Sequence, residues 1–293
     1  TAVLTANSLY VSSVSNGTIH LAQTLVGTSI PAGTIINALG SGSGGAGTYV
    51  VSATTPVSSE TIYFLNFSVL PNSDGAFIGG GVTDVVDNYI IYNNPGTQQW
   101  AATNLLSPIT SALSYAFKDS APDKLVSLIA VARQIYLLGE KSSEAWIDVG
   151  AFPFPFQRIP GSSSQFGTAA QYSVAYLGTS FAWVSRNSRG QAQVMQMNGY
   201  NPQRISNHAV EATLENQYID DAIGFTIQQE GHEWYVITFP TVNITWVYDA
   251  TTQMWFKWLY YNNDGTYSRH RANCAALFQG MLLMGDYQNG KVY

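Results

Sequence analysis

Beyond residue 75, five apolar, strand-length phrases recur at a long and nearly constant step. They are YIIYN from Tyr89, IYLLG from Ile135, FAWVS from Phe181, WYVIT from Trp234 and MLLMG from Met281, separated by 46, 46, 53 and 47 residues. Each is followed, 11 to 13 residues on, by a second strand phrase: QQWAAT, EAWID, VMQM, TWVYD and finally KVY. The turns between them hold the Gly, Pro, Asn or Ser that lets a chain reverse, as in NNPGTQQ, EKSSE and DYQNG. One hairpin per period of about 45 to 50 residues is what propeller blades produce, because a four-stranded blade needs that much chain. A sandwich would repeat its turns every ~8–12 residues without the longer step. The expected fold is all-β: a β-propeller with a blade repeat of 46 to 53 residues, preceded by something different.

That something is residues 1–75, which read as a small antiparallel β module. Residues 1–59 contain no Lys, Arg, Asp or Glu. Short phrases (SLYVSSV, GTIHLAQTL, GTIINAL, GTYVVSA, ETIYFLNFSVL) are rich in Val, Ile, Thr and Tyr and are separated by turn residues. Gly42, Gly44 and Gly47 have the spacing of a dinucleotide fingerprint. That fingerprint works only where a strand feeds a helix whose N-terminus receives the pyrophosphate. Here the glycines run into the strand phrase TYVVSA, so a hairpin tip is expected and a nucleotide site is not.

Composition narrows the partners. Only 10% of residues are charged, the net charge is -6 and aromatics reach 13%. Basic residues are scattered singly apart from Arg269, His270 and Arg271, whereas phosphate binding needs several clustered cations to release counterions. A neutral, Tyr- and Trp-rich surface suits broad protein contacts. The single cysteine, Cys274, rules out an internal disulfide framework and is expected as a plain buried thiol. No charged n-region precedes an apolar run, and no window reaches the ~18 apolar residues of a membrane span. The last phrase breaks off at Tyr293, so the propeller domain, residues 76–293, is expected to be incomplete at its C-terminal end and part of a longer polypeptide.

Two passages interrupt the strand pattern. Ser206 is expected to cap a helix through HAVEATLENQ, with Ala209, Val210, Thr213 and Leu214 on one face and Glu211 and Glu215 on a solvated one. LLSPITSALSYAFK fits neither period, because Pro108 interrupts it.

Signs of catalysis are thin. His20, His208, His232 and His270 stand apart from any metal-ligand spacing, and no nucleophile elbow occurs. Asp220, Asp221, Glu230 and Glu233 would serve a glycosidase only if two of them faced each other across a propeller mouth. The dense aromatic run from Trp234 to Tyr261 offers either a sugar platform or, as the plainer reading, blade core and subunit contact. No catalytic residue, cofactor or metal is expected.

The stretch from Ala116 to Leu214 carries three longer phrases: AFKDSAPDKLVSLIAVARQIYLLGEKSSEAWIDVG, FPFQRIPG and NGYNPQRISNHAVEATL. Together with DNYIIYNNPGTQQW they resemble the tail-hub, or packaged-DNA stabilisation, proteins of short-tailed bacteriophages. The phrase IPAGTIINALGSGSGGAGTYVVS likewise resembles a short β module that recurs in phage tail and other virion proteins. Asp123, Trp146, Phe154, Phe156, Arg158, Pro160, Gly161, Tyr200, Gln203 and Arg204 stand where the family pattern puts them and are the candidate interface residues. The resemblance implies a structural protein of the virion tail, a propeller assembled as a homo-oligomeric ring, typically a hexamer. Its implied neighbours are the portal and adaptor rings above and the tail fibres, spikes or needle below, with DNA only as passing cargo. A glycan-binding adhesin and a propeller glycosidase are the alternatives.

The loop FPFPFQRIPG, Phe152 to Gly161, combines three Phe with three Pro. Proline fixes φ and removes backbone donors, so this cannot be an interior strand, and its rings are too apolar for open solvent. It is expected to dock rigidly on its own propeller or on a neighbouring subunit, with Arg158 meeting a carbonyl or carboxylate there.

Overall fold

The recurrent phrases occupy the two central strands of successive four-stranded antiparallel sheets. The computed structural model describes residues 1–65, 79–187 and 189–293. The expected boundary at residue 75, the end of ETIYFLNFSVL and Ser188 of the third turn lie outside the described residues. The chain divides into two compact units, Thr1–Pro71 and Asn72–Tyr293.

The first unit contains β1 (Ala2–Thr5), β2 (Ser8–Val11), β3 (Thr24–Val26), β4 (Ile36–Leu39), β5 (Gly47–Val51), β6 (Val57–Glu60) and β7 (Tyr63–Leu65). Five of these form one antiparallel sheet in the order β4-β5-β2-β1-β6, and β3 pairs with β7. Alternate residues turn inward, so Leu4, Leu9, Val11, Ile36, Tyr49 and Val51 make the core. The glycine cluster is the β4–β5 hairpin connection. The Tyr49 hydroxyl donates to the Gly45 carbonyl at 2.5 Å, and a Cβ at Gly42 would lie 2.7 Å from the Tyr49 ring. No helix follows the cluster, so the pyrophosphate cradle has no donor end.

In the second unit the first sheet is β8 (Thr83–Val86), β9 (Tyr89–Asn93), β10 (Gln99–Thr103) and β11 (Thr110–Phe117). The second is β12 (Leu125–Val131), β13 (Gln134–Gly139), β14 (Ser143–Asp148) and β15 (Phe156–Arg158). β16 (Ala175–Leu177), β17 (Ser180–Arg186), β18 (Ala192–Asn198) and β19 (Asn201–Arg204) form the third, which helix α1 (His208–Leu214) follows. The fourth is β20 (Ile223–Gln229), β21 (His232–Phe239), β22 (Ile244–Asp249) and β23 (Met254–Lys257). A separate hairpin, β24 (Leu259–Tyr261) and β25 (Tyr267–Arg269), precedes the fifth sheet, β26 (Ala272–Phe278) and β27 (Met281–Asp286).

Within each sheet the strands follow sequence order, the meander that defines a propeller blade. In the second, third and fourth sheets the central strands are buried on both faces because each of these sheets is packed between two others, which is why their phrases are continuously apolar rather than alternating. Tight first turns set the register. Asp87–Asn88, Ala132–Arg133, Glu230–Gly231 and Gln279–Gly280 all have positive φ at both central positions, the geometry whose twist matches a right-twisted hairpin. One apolar cluster fills each seam. Trp100 and Ile91 meet Leu137 and Trp146 between the first two sheets, and Tyr136 and Leu138 meet Phe181 and Trp183 between the next two. Val184 and Val194 meet Tyr235 and Ile237, and Val236 and Val247 meet Ala272. Among the described residues no such cluster joins the fifth sheet to the first.

Several details differ from expectation. The cap of α1 is Asn207, whose side chain accepts from the Val210 N–H, and Ser206 instead hydrogen-bonds Glu211 and the Val194 N–H. Glu211 is therefore half-buried and bonded rather than part of a solvated face, and Ala209 is exposed. The ambiguous passage around Pro108 holds strand β11, since Thr110–Phe117 lies past the proline and pairs with β10. Cys274 is exposed rather than buried, because it lies on the face of β26 turned away from the fourth sheet. The phrase KVY adds to β27 through a Gly285–Val292 bridge, in the place of a third strand.

Candidate functional site

The first strands of the five sheets, β8, β12, β16, β20 and β26, surround a cavity of about 570 Å³. Asp84 is the one charged side chain in its lining, and it is spent on the scaffold. One Asp84 oxygen accepts from the Ala130 N–H of the second sheet at 2.7 Å and from the Tyr176 hydroxyl of the third at 2.9 Å. Burial, with Asp84 alongside, pushes the Tyr176 phenol well above its ordinary range, so it acts only as a donor. Three sheets are thereby tied at one point. Sequence reasoning missed this junction, since nothing in the phrases TDVV and AYL marks two residues 92 apart as partners.

The family-pattern residues fall into two groups, both joined to the second sheet. In the first, Lys118, fully buried, donates to Asp123 and Ser142, each at 2.5 Å. The other Asp123 oxygen accepts the Lys141 and Ser142 N–H groups. Burial pushes the Asp123 carboxyl up, but the Lys118 ammonium and the surrounding donors outweigh it and hold the group below the ordinary carboxylate range. Gly139 is required here, because a Cβ would stand 2.3 Å from Asp123. Beside it, buried Glu144 accepts from the Ser120 N–H and from Trp146 Nε1 at 2.8 Å. These bonds lash the connection between the first and second sheets to the β13–β14 turn.

The Phe152–Gly161 loop continues this group. Phe156 is the first residue of β15, the outer strand of its sheet, and its ring lies 5.5 Å from Trp100. Phe154 packs edge-on to Trp100 at 5.0 Å and touches Phe156 at 5.6 Å. Both rings thus dock within their own propeller, at the seam of its first two sheets. Arg158 pairs with Asp119 at 3.3 Å, while Pro160 and Gly161 are exposed and Gly161 takes the positive φ of a turn. The ring left in solvent is Phe152, 94% exposed.

In the second group, Arg204 pairs with Glu211 at 2.5 Å, and the same carboxylate accepts from Ser206. Tyr200 lies against Tyr136 of the second sheet, and Gln203 reaches a groove between these sheets.

Three of the four acids considered for glycoside hydrolysis are engaged separately, and the fourth, Glu230, lies in a turn. Asp220 pairs with Arg186, Asp221 accepts from Thr241, Glu233 accepts from the Gly178 N–H and Gln228, and Glu230 occupies a positive-φ turn. In the aromatic run, Tyr235, Trp246 and Tyr248 are buried in the seam between the third and fourth sheets. Trp234, Phe256 and Trp258 pack toward the fifth sheet, and Tyr261 is exposed. His232 hydrogen-bonds Asp249 at 2.7 Å. No group of three or more potential metal ligands, and no helix long and apolar enough to cross a membrane, occurs among the described residues.

Cations are largely consumed internally. Lys118, Arg133, Arg158, Arg186, Arg204 and Arg271 are each paired with a carboxylate of the same chain. Lys257 sits over the Trp246 ring and Arg269 over Tyr287. Little positive charge is left to grip phosphate.

Blade-like meanders in sequence order, packed face to face around an axial cavity, define a β-propeller protein. The chain belongs to the phage family described as Bacteriophage P22 Gp10, beta-propeller, whose model matches residues 66–293. It is a phage structural protein, a component of the virion. No curated protein matches it. Among solved structures it is similar to the AfRom2 CNH domain, at 10% identity over 98% of this chain and 88% of that one, TM-score 0.37. It is also similar to a putative 6-phosphogluconolactonase from Bacteroides uniformis, at 14% identity over 84% and 68%, TM-score 0.38. Likenesses this distant transfer nothing further to the present chain.

Proposed function

We propose that the protein is a tail-hub or nozzle subunit, assembled as a homo-oligomeric ring, a hexamer, below the portal and adaptor rings. In this role it retains packaged DNA and anchors tail fibres, spikes or a needle. The observation that carries the reading is the match of residues 66–293 to the phage structural family, in a chain whose low charge and 13% aromatic content suit broad protein contacts.

The charge arrangement supports DNA as cargo rather than ligand. With six cations neutralised in place and a net charge of -6, the wall lets a phosphate backbone pass without holding it. The family's structural role and the separate engagement of Asp220, Asp221 and Glu233 support a function without catalysis. The test is electron microscopy of purified tails with the chain labelled. A ring of density on the tail axis is expected, and label on peripheral fibres or elsewhere in the particle would overturn the reading.

A further inference from the structure

Between β24 and the β26–β27 hairpin lies a cavity of about 360 Å³, and Arg271 is the one Arg or Lys in its lining. The guanidinium is held there but not satisfied. Its carbon stands 3.9 Å over the Tyr260 ring, and Asp286 lies 3.6 Å from Nη1, near enough for charge attraction but too far for a hydrogen bond. The other Asp286 oxygen is spent on the Gln288 N–H at 2.7 Å. Among the described residues no group accepts from Arg271, and its Nε is buried without a partner. Arg269, two residues earlier, shows the contrast. It is buried, lies over Tyr287 and donates to Asn273 at 2.8 Å. Arg269 is scaffold, whereas Arg271, with 30% of its side chain exposed, is a charged donor left open at a cavity.

His270 adds a second donor to the same lining. Its Nδ1 accepts from the Ala272 N–H at 3.2 Å, and burial, partly offset by Asp286, holds the imidazole below its ordinary range. The ring is therefore neutral and keeps its Nε2–H to give. An unsatisfied guanidinium is costly, and its planar fork fits the two oxygens of a carboxylate. Asp286 already brings one negative charge to the site, so a singly charged carboxylate meets less repulsion than a phosphate monoester would. Arg271 also occupies a face of Tyr260 on which a sugar ring would stack. We propose that this cavity binds the carboxylate of an Asp or Glu side chain presented by another virion protein. Arg271 grips its oxygens, and the His270 Nε2–H donates beside it.

The inference rests on the tail reading only for the source of that side chain. The test is an array of overlapping peptides covering the structural proteins of the same phage, with affinities of the hits measured on the purified full chain. Bound segments should centre on an Asp or Glu, and changing that residue to Asn or Gln should weaken binding about tenfold or more, as loss of a charge-assisted pair does. That comparison leaves the protein untouched, so no folding defect can mimic it. Arg271→Gln should weaken binding as much, while Arg271→Lys should retain part of the affinity, because it keeps the charge and loses the fork. Added salt should weaken binding too. Amide peptides that bind as well as acidic ones, binding that survives Arg271→Gln, affinity indifferent to salt or absence of any acidic binder would each overturn the proposal. So would inorganic phosphate or a uronic acid oligosaccharide binding more tightly than every acidic peptide. Rings on the tail axis without an acidic binder would sink the cavity proposal alone. A chain absent from the tail would sink the hub reading instead.

Discussion

The second and fifth sheets grow from the same sequence device and end in different states. Both centre on an apolar hairpin with a tight turn at its head, Ala132–Arg133 in one and Gln279–Gly280 in the other. The second sheet is covered on both faces, by Leu137 and Trp146 toward the first sheet and by Tyr136 and Leu138 toward the third. Its connections are fastened by the Lys118–Asp123–Ser142 bonds. The fifth sheet packs through Ala272, Ala275, Leu282 and Met284 on one face, while Phe278 and Met281 on the other are exposed. The apolar pattern states what a strand can bury. Its neighbours decide what it does bury.

The largest test of that contrast is a pair of truncations. Phe156→Ala should cost about 3–5 kcal/mol by removing a buried ring from the first seam. Phe278→Ala should stay within about 0.5 kcal/mol, since its ring is in water. Urea unfolding midpoints compare them, and equal losses would mean the outer face of the fifth sheet is covered after all. Next comes Lys118→Met, which strands a buried carboxylate and should cost about 3 kcal/mol at neutral pH.

Acid sharpens the same point. Because the folded Asp123 titrates below its unfolded value, its contribution is complete above the unfolded pKa of about 3.9 and is lost as pH falls through the folded one. The gap between parent and Lys118→Met should therefore narrow when the urea midpoints are repeated near pH 3. A gap that stays constant would show that the ammonium does not hold the carboxyl down.

The smallest effect concerns the turns. Ala132 has a φ of 49°, where a side chain costs roughly 1–2 kcal/mol, and glycine returns about 0.5–1 of that in chain entropy. Ala132→Gly should thus raise stability slightly, by about 0.5 kcal/mol. Gly280→Ala at the fifth turn should lower it by a similar amount. Thermal melts of the two variants would move in opposite directions if turn geometry alone is at work.

Much of the propeller was legible because burial on both faces leaves an unbroken apolar run. YIIYN, IYLLG, FAWVS and WYVIT mark β9, β13, β17 and β21, with their partners beside them. Outer strands were harder. β11 exposes one face and follows a proline, so TSALSYAF carries no clean period. Ser206 and Asn207 are both good caps, and which one caps α1 depends on Ser206 being drawn to Val194 on a neighbouring strand. The candidate site was legible only as a resemblance of phrases. That Asp123 answers Lys118 and Glu144 answers Trp146 follows from a connection folding back over a turn, which local pattern does not encode. Gln203 is the converse case, a polar residue in the pattern with nothing inside the fold to explain it.

Each sheet of the second unit is also built from consecutive strands, with no segment borrowed from a distant part of the described chain, whereas in the first unit β1 pairs with β6 and β3 with β7. A growing polypeptide can therefore close one blade before the next has left the ribosome, and each finished seam becomes a template for the hairpin that follows. The slow step in such a sequence is stacking rather than strand search, since the hairpins are local and cheap in loop entropy. Synthesis direction then sets assembly order, with the blade carrying Trp100 laid down before the exposed fifth hairpin.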